Sequence, residues 1–289
     1  MPNSNWQSLK LGLVQMVSVK PLEQNLAAAE RQICACAEQG AELVVLPEMF
    51  AIFGGGDQLA AGQAEANSGG PLRSFLAEMA ARYSVYLVGG SIPCTAANEY
   101  ANAPALSAEQ ARVYAACFVY DSTGQEIARY DKVHLFDANV NDAQGQYRES
   151  DTFAPGLKPQ CFDSPWGKIG LAICYDLRFP EYFRCLAEQG CELVLVPAAF
   201  TYATGRAHWD LLLKARAVEN QCFVAGAAQG GEHSKRRSTW GHSCAINPWG
   251  EPLASLDRGE GALLIELQRQ QLVEVRAALP ALANRRLGI

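Results

Sequence analysis

The sequence lacks several features that mark whole classes of protein. It contains no Cys-x-x-Cys pair and no paired Cys/His spacing typical of zinc sites, although it holds ten cysteines. It has no run of about eighteen apolar residues, so we expect no membrane span. Its first residues, MPNSNWQSLKLGLVQMV, have no basic start and too short an apolar run for a secretory signal. These absences predict a cytoplasmic protein whose thiols are mostly reduced and buried.

The chain also lacks a strong net charge of either sign. The 24 basic and 30 acidic side chains give a net charge of −6, which argues against nucleic acid or an anionic membrane as the partner. Charged residues make up 19% and hydrophobic residues 49%, a mixture that excludes a disordered or coiled-coil chain. No Ser/Pro-rich linker interrupts the chain. We therefore predict a single domain over residues 1–289, with a core over about 9–270 and a C-terminal tail over about 271–289.

Three segments are predicted to lie outside regular structure. The long loops near 94–110 and 137–160 are rich in Gly, Asn and Asp, and loops of that length are often functional. The triple glycine at 54–56 lacks the Lys-Ser/Thr that follows a phosphate-binding loop, so it is interpreted as a flexible turn and not as a nucleotide site.

An internal repeat is the most informative feature that is present. Residues 37–50 read AEQGAELVVLPEMF and residues 187–200 read AEQGCELVLVPAAF, with nine of the fourteen positions identical. Upstream of them, KLGLVQM at 10–16 corresponds to KIGLAIC at 168–174. The same structural unit therefore occurs twice in the chain.

Each copy of the repeat has the pattern strand-helix-strand-helix-strand-hairpin. Apolar spacing, proline starts and glycine ends predict helices from Pro21 to Gly40, over 71–83, from Pro180 to Gly190 and over about 206–220. The strands are continuous apolar runs, as expected when helices cover a sheet. The predicted fold class is α/β, a four-layer α-β-β-α sandwich with an internal pseudo-twofold duplication.

The repeat breaks at two strand ends, where chemistry is expected. Glu48 in the first copy corresponds to Ala198 in the second, and a carboxylate after an apolar strand must be paired or functional. Cys174 in the second copy corresponds to Met16 in the first. A thiol at a strand end, beside charged residues, is a better nucleophile candidate than one inside a helix. The alternative is a structural cysteine.

Lys132 is the third candidate. It lies in RYDKVHLFD, after the strand of a hairpin and between Asp131 and His134. A lysine in such an alternating pattern is either a solvated side chain or a catalytic one, and His134 is more typical of a structural histidine than of a base. Because Cys174 has no histidine close by in the sequence, Glu48 could serve as its base.

These three segments resemble a known family. LPEMF with Glu48, YDKVHLFD with Lys132 and ICYDLRFPE with Cys174 are similar to the three ordered motifs of the carbon-nitrogen hydrolases, the nitrilase superfamily. The resemblance runs from about residue 9 to the end of the chain. It implies the same four-layer sandwich and an acylation mechanism through Glu, Lys and Cys, with no metal and no cofactor.

Other stretches resemble the Nit branch of that family. They are ESDTFAPG at 149–156, TGRAHWDLLLKARAVENQCFVAGAAQGG at 204–231 and TWGHSCAINPWGE at 239–251. The branch contains omega-amidases and deaminated-glutathione amidases, and the resemblance to the latter is closer. It implies a metabolite-repair amidase that converts deaminated glutathione to 2-oxoglutarate and Cys-Gly. The alternatives are an omega-amidase acting on 2-oxoglutaramate or 2-oxosuccinamate and, in a different class, a non-catalytic binding scaffold.

The resemblance also implies further site residues. The additional active-site glutamate falls on Glu149, and the contacts to a substrate carboxylate or α-keto acid fall on Arg178 and Thr204. A backbone N–H near Tyr175 would help to stabilise the oxyanion. For Arg178, an ion pair with a neighbouring carboxylate, Asp176 or Glu181, is the structural alternative.

The expected partners are a small-molecule amide and a second copy of the chain. Members of the family usually pair through helices near the nucleophile, which implies a homodimer or a higher homo-oligomer with the helix at 180–189 in its interface. Tyr182, Phe183 and Leu186 are candidate anchors there. The alternative is that these side chains pack on their own sheet.

Overall fold

The computed structural model describes residues 6–53, 57–65, 69–95 and 112–287. The triple glycine at 54–56 and most of the predicted loop at 94–110 lie outside the described residues. The first half contains the following elements: β1 (Ser8–Gln15), α1 (Leu22–Glu38), β2 (Leu43–Val45), α2 (Gln58–Ala64), α3 (Pro71–Tyr83), β3 (Tyr86–Val88), β4 (Ile92–Cys94), β5 (Tyr114–Tyr120) and β6 (Glu126–Asp131).

A short ribbon links the two halves and is formed by β7 (Asp137–Asn139) and β8 (Gln146–Arg148). The second half contains β9 (Gln160–Ser164), β10 (Gly167–Leu171), α4 (Pro180–Glu188), β11 (Leu193–Ala198), α5 (Tyr202–Asn220), β12 (Phe223–Ala228), β13 (Cys244–Ile246), β14 (Pro252–Ser255), β15 (Gly261–Gln268) and α6 (Arg269–Ala278).

Two sheets carry the duplication. The first has the strand order β15-β1-β2-β3-β5-β4, with β6 beside β5, and the second has the order β14-β13-β12-β11-β10-β9. Leu11 pairs with Leu43 in the first sheet, and their equivalents in the repeat, Ile169 and Leu193, pair in the second. The two halves therefore share pairing register as well as sequence.

The layers follow from the alternation of side chains along each strand. In the first sheet, Leu11 and Val45 belong to one apolar cluster with Leu171 and Leu195 of the second sheet, so the two sheets pack face to face. On the opposite face, Val44 packs in a separate cluster with residues of α1 and α3. Because α4 and α5 cover the second sheet, the order of layers is α-β-β-α. The predicted fold class is confirmed.

Equivalent glycines let a helix approach the sheet in each half. A Cβ at Gly12 would lie 2.8 Å from the sulfur of Cys36 in α1. A Cβ at Gly170 would lie 2.9 Å from Leu186 of α4. At either position a Cβ would require its neighbour in the helix to shift, which favours glycine here in both copies of the repeat.

The structure adds elements that the repeat did not indicate. Strand β15 pairs antiparallel with β1 along its whole length and closes that edge of the first sheet. Much of the predicted tail is helix α6, whose Leu272 is buried and whose Arg276 donates hydrogen bonds to the carbonyls of Gln221 and Cys191. Helix α5 begins at Tyr202, earlier than predicted, because Thr201 caps it by accepting from the Thr204 N–H at 3.2 Å.

The proposed dimer anchors occupy this chain's own core. Tyr182, Phe183 and Leu186 are all buried in the cluster that joins the two sheets. The hydroxyl of Tyr182 donates to the carbonyl of Leu171 at 2.5 Å. Anchoring of a partner by these three side chains was therefore wrong, and the alternative of packing on their own sheet is what the structure shows. None of the helices in the described part of the chain has the length and apolar character that crossing a membrane requires.

Candidate active site

Lys132 lies at the centre of a buried group of charged side chains. Its Nζ is 2.7 Å from Oε1 of Glu48 and 2.9 Å from both carboxylate oxygens of Glu149. Lys132 is 1% exposed and Glu48 is 2% exposed. Cys174 faces the same group and is 8% exposed. The structure thus brings together four residues that are separated by up to 126 positions in the chain (174 − 48).

Backbone contacts fix both partners of this ion pair. The N–H of Lys132 donates to the carbonyl of Ala115, and its carbonyl accepts from the N–H of Gly156. The carbonyl of Glu48 accepts from the side-chain amide of Gln229, a buried residue at the end of β12. Lys132 and Glu48 are therefore both held by contacts at the edge of a sheet, and not by a free loop.

Glu149 occupies a short 3-10 turn that directly follows β8. Besides binding Lys132, its Oε2 accepts a hydrogen bond of 2.6 Å from the N–H of Phe136. The ribbon of β7 and β8 thus carries a carboxylate into the interior. The predicted loop over 137–160 is largely ordered by this arrangement.

Cys174 is held in a strained conformation. It begins a 3-10 turn, Cys174–Arg178, and its φ of 46° lies in the left-handed region, which residues with a side chain rarely adopt. Such a turn presents the thiol at the strand end and places the Tyr175 N–H in the first turn of a helix, where backbone donors lack an intrahelical partner.

The side chain of Asp176 stabilises this turn through hydrogen bonds. It is fully buried, and its Oδ2 accepts from the N–H of Ile173 at 2.8 Å and from the hydroxyl of Tyr130 at 2.7 Å. Its Oδ1 accepts from the N–H of His134 at 3.1 Å and lies 2.8 Å from Nδ1 of the same residue. His134 stacks on Phe179, so its position agrees with the structural interpretation.

Replacing Asp176 by asparagine is expected to destabilise the fold. The asparagine amide would place an N–H donor against groups that are themselves hydrogen-bond donors. The free energy of unfolding should therefore fall by about 2–3 kcal/mol. Chemical denaturation measures this loss. Asp163→Asn is the matched control because the Asp163 side chain is 77% exposed, and its effect should stay within about 0.5 kcal/mol. Equal effects of the two substitutions would contradict this role for Asp176.

The charged groups in the site shift one another's pKa values. Burial alone would lower the pKa of Lys132, but the carboxylates of Glu149 and Glu48 outweigh it and hold that pKa well above its usual value. Burial, reinforced by the Glu48 carboxylate, raises the pKa of Cys174 well above that of a free thiol. Burial also raises the pKa of Glu149, although Lys132 opposes the shift. Burial and the Glu48 carboxylate therefore favour the neutral thiol of Cys174, and the two carboxylates favour the ammonium form of Lys132.

A cavity of about 430 Å³ opens onto this group. Four of the predicted site residues line it: Glu48, Lys132, Glu149 and Cys174. Its other walls are mostly aromatic and polar side chains, together with two arginines, Arg148 and Arg237. This combination suits a polar organic ligand with an anionic group.

The other three predicted residues line a small pocket beside Cys174. Tyr175, Arg178 and Thr204 surround a space of about 10 Å³ that shares Cys174, Phe136 and Ala199 with the large cavity. That space admits a group about the size of one water molecule. The seven predicted residues therefore line two adjoining pockets.

Arg178 does not form the ion pair that was the structural alternative. Within the described residues its guanidinium contacts no carboxylate and instead lies 3.2 Å from Nδ1 of His208. It is also held over the rings of Tyr175 and Phe200, at 5.8 and 5.2 Å from their centroids. Its charge therefore remains available to an anion.

Sequence reasoning missed the two arginines of the large cavity. Arg237 belongs to the KRRS run at 235–238, between the stretches 204–231 and 239–251 that resemble the Nit branch, and this position was the available signal. Arg148 directly precedes Glu149 and had no signal of its own. In the ranges that the structure describes, no three His, Cys, Asp or Glu side chains are grouped as metal ligands.

Comparison with known proteins places the chain among sequences of one family. The model of the carbon-nitrogen hydrolases matches residues 10–277. A deaminated glutathione amidase from Yersinia enterocolitica is 39% identical over 286 residues, covering 99% of this chain and 94% of that protein. One from Synechocystis sp. is 42% identical, covering 94% and 96%. Human omega-amidase NIT2 is 36% identical, covering 96% and 95%.

Solved structures share the fold. Nit3 from Saccharomyces cerevisiae superposes with a TM-score of 0.84 at 30% identity, and the match covers 97% of each chain. The NitFhit protein of C. elegans also gives a TM-score of 0.84, at 32% identity, but this chain spans only 65% of its length. An amidase from Nesterenkonia sp. AN1, solved with butyramide, gives 0.74 at 28% identity, covering 95% of this chain and 96% of that one.

Proposed function

Because this chain belongs to the carbon-nitrogen hydrolase family, we propose that it hydrolyses the side-chain amide of deaminated glutathione to 2-oxoglutarate and Cys-Gly. It is a hydrolase acting on carbon–nitrogen bonds other than peptide bonds. The observation that carries the proposal is Lys132 bridging Glu48 and Glu149 beside the Cys174 thiol, at the floor of a cavity whose wall bears arginines. Relatives named deaminated glutathione amidase, 39–42% identical, support the choice of substrate.

Acylation begins with transfer of the thiol proton. Because the pKa of Cys174 is raised, its proton must be removed as the sulfur attacks the amide carbon, and the Glu48 carboxylate faces the thiol for this purpose. The new C–S bond pushes the carbonyl electrons onto oxygen. The Lys132 ammonium and the Tyr175 N–H stabilise that oxyanion, an effect worth about 3 kcal/mol per donor.

Collapse of the tetrahedral species completes acylation. Glu48 returns its proton to the amide nitrogen, the C–N bond breaks, and Cys-Gly leaves as a neutral amine. The acyl group remains on Cys174 as a thioester. Glu48 then removes a proton from water, which attacks the thioester, and 2-oxoglutarate is released as the thiol is restored. Glu149 holds the Lys132 ammonium through two hydrogen bonds of 2.9 Å while this charge moves.

The carboxylate at the acyl end of the substrate is assigned to the Arg178 side of the site, where the small pocket adjoins the large cavity. The small pocket itself has no space for the whole acyl chain. Arg178 suits an α-keto acid because a guanidinium fork binds a carboxylate with two parallel hydrogen bonds. The hydroxyl of Thr204 lies at the same pocket and shares a 2.9 Å hydrogen bond with that of Thr201. Since the carbon attacked must reach Cys174, the leaving group extends into the large cavity.

A comparison of two substrates tests this function. The purified protein should turn over deaminated glutathione with a kcat/KM well above that for 2-oxoglutaramate, with 2-oxoglutarate as the common product. A preference for 2-oxoglutaramate would keep the mechanism but make the protein an omega-amidase. No activity on either substrate, in protein whose Cys174 still reacts with an electrophile, would overturn the proposed function.

The titration of the thiol provides a second test. Glu48→Gln removes the carboxylate that, after burial, raises the pKa of Cys174, and it leaves the Lys132 ammonium as its neighbour. Alkylation of Cys174 by iodoacetamide near pH 7 should therefore become severalfold faster. Turnover should nonetheless fall by about 10²-fold or more, because the base is lost.

Mass spectrometry of the alkylated peptides separates these two effects. Cys34 is partly exposed on α1 and is not part of the cavity wall, so its alkylation rate should be the same in both proteins. Slower alkylation of Cys174 in the Glu48→Gln protein would contradict the arrangement of charges described above.

The cellular compartment and the oligomeric state are further parts of the proposal. A repair amidase would act in the cytoplasm, where its substrate forms as a by-product and where ten free thiols stay reduced. Pairing as a homodimer is supported by the resemblance to the family alone. Light scattering at micromolar concentration should give the mass of two chains, and the mass of one chain would contradict the pairing.

A further inference from the structure

Arg237 lines the large cavity but is not used by the mechanism above. It follows the turn that begins at Ser234, and its guanidinium lies over two rings, 4.5 Å from the centroid of Tyr147 and 5.4 Å from that of Phe53. Both rings are buried, so they supply two rigid surfaces against which the planar group rests. The guanidinium is therefore positioned before any ligand arrives.

The loop that carries Arg237 is anchored at both ends. The ring of His233 lies 2.8 Å from the carbonyl of Ser18 and 2.7 Å from the hydroxyl of Thr239. Within the loop, the N–H of Arg237 donates to the carbonyl and hydroxyl of Ser234. These contacts restrict the backbone, so little entropy is lost when the side chain binds a ligand.

The charge of Arg237 is not neutralised by the protein. Across the described ranges its guanidinium pairs with no carboxylate. The carboxylate next to Tyr147, that of Asp142, is already occupied by the N–H groups of Gln144 and Gly145 and by the Tyr147 hydroxyl. A cation held in place without a partner, in the wall of a cavity, predicts an anionic group on the ligand.

We propose that Arg237 binds the carboxylate at the glycine end of the substrate and thereby selects amides with a long, acidic leaving group. This inference rests on the proposed function. The carboxylate of the acyl end is assigned to the Arg178 side of the site, where the space of about 10 Å³ is too small for the Cys-Gly portion, so that portion lies in the 430 Å³ cavity. Arg237 is a cation in the wall of that cavity, and it does not belong to the buried group of Glu48, Lys132, Glu149 and Cys174. A primary amide such as 2-oxoglutaramate has no group that reaches it.

The first arm of the test changes the protein. In Arg237→Gln, kcat/KM for deaminated glutathione should fall about tenfold to a hundredfold, mainly through KM, because a charge-assisted hydrogen bond is lost. Turnover of 2-oxoglutaramate should change less than about threefold. Arg236→Gln is the matched control, since Arg236 is exposed and outside the cavity wall, and it should leave both substrates unaffected.

The second arm changes the substrate. An analogue of deaminated glutathione whose glycine carboxylate is a carboxamide should be hydrolysed by the unaltered protein with the same loss as Arg237→Gln shows on the parent compound. The variant should show no further loss on the analogue. This arm needs no substitution for its main comparison, so it tests whether the glycine carboxylate is required even if Arg237→Gln folds poorly.

Three results would overturn the proposal. The first is hydrolysis of the carboxamide analogue as fast as the parent acid. The second is a loss in Arg237→Gln that is equal for the long and the short substrate. The third is a selective loss in Arg148→Gln instead, although the guanidinium of Arg148 already donates to the Tyr147 carbonyl at 2.7 Å. In all three the unaltered protein still hydrolyses deaminated glutathione, so the proposed function stands. Failure of that hydrolysis would remove both.

Discussion

Replacing Cys174 by alanine is expected to abolish hydrolysis of every amide substrate, with a fall in kcat of about 10⁴- to 10⁶-fold. The mechanism leaves no second nucleophile, because Glu48 acts only as base and acid and Lys132 is held by two carboxylates. Residual rate would come from binding and from the oxyanion donors. The substitution deletes one atom from a buried position, so the protein should still fold and bind substrate.

Cys244→Ala is the control for this substitution. Cys244 is also buried and carries a free thiol, but it lies on β13 and is not part of the cavity wall. Its removal should leave kcat within about a factor of two while lowering stability slightly, by about 1 kcal/mol. Substantial amide turnover by the Cys174→Ala protein would contradict nucleophilic catalysis at this position.

Replacing Lys132 by methionine is expected to damage both activity and stability. Methionine has a similar volume, but it leaves the buried carboxylates of Glu48 and Glu149 without their common cation. Breaking a buried ion pair from one side costs about 3–5 kcal/mol. Turnover should fall at least about 10³-fold, because an oxyanion donor is lost and the thiol faces two uncompensated negative charges.

The stability loss in Lys132→Met should depend on pH with a definite sign. In the unaltered protein the pKa of Lys132 is raised, so its contribution is present below the usual lysine pKa and is lost only at strongly alkaline pH. In the variant Lys132 no longer opposes burial and the Glu48 carboxylate, which raise the pKa of Glu149, so Glu149 retains its proton more firmly than in the unfolded chain. The variant should therefore be least stable at neutral pH and should recover as the pH falls toward the carboxylate range.

Urea unfolding at several pH values measures this dependence. Lys214→Met is the matched control, because Lys214 is partly exposed and forms an i,i+4 pair with Asp210 on α5. Its effect should stay within about 0.5 kcal/mol at every pH. A Lys132→Met protein as stable and as active as the Lys214→Met protein would show that the buried charges do not depend on Lys132.

Much of the fold could be predicted because the duplication is still visible as a repeat in the sequence. The identity between residues 37–50 and 187–200 fixed the strand-helix-strand unit, and the equivalent pairs Leu11–Leu43 and Ile169–Leu193 confirm its register. The same comparison exposed Glu48 and Cys174 as departures from the repeat. Their meeting in one site follows from the face-to-face packing of the two sheets, which brings equivalent strand ends together.

The remaining features depend on contacts between distant segments. Asp176 was considered only as a partner for Arg178, but it binds Tyr130 and His134, more than forty positions away. Strand β15 lies outside the repeated sequence segments, so nothing in the sequence indicated that it pairs with β1, as β9 pairs with β10 in the second sheet. Arg237 became a candidate only when Phe53 and Tyr147, from separate parts of the chain, were seen to hold its guanidinium.

The most direct test of the account is to trap the acyl-enzyme. Mixing the protein with deaminated glutathione, quenching in acid during turnover and digesting the product should yield a peptide in which Cys174 carries one 2-oxoglutaryl group as a thioester. The account predicts that this adduct is absent from Cys174→Ala and disappears from the unaltered protein as substrate is exhausted. Steady release of 2-oxoglutarate by the unaltered protein with its Cys174 peptide unmodified at every quench time, or with the acyl group on another residue, would contradict the central claim.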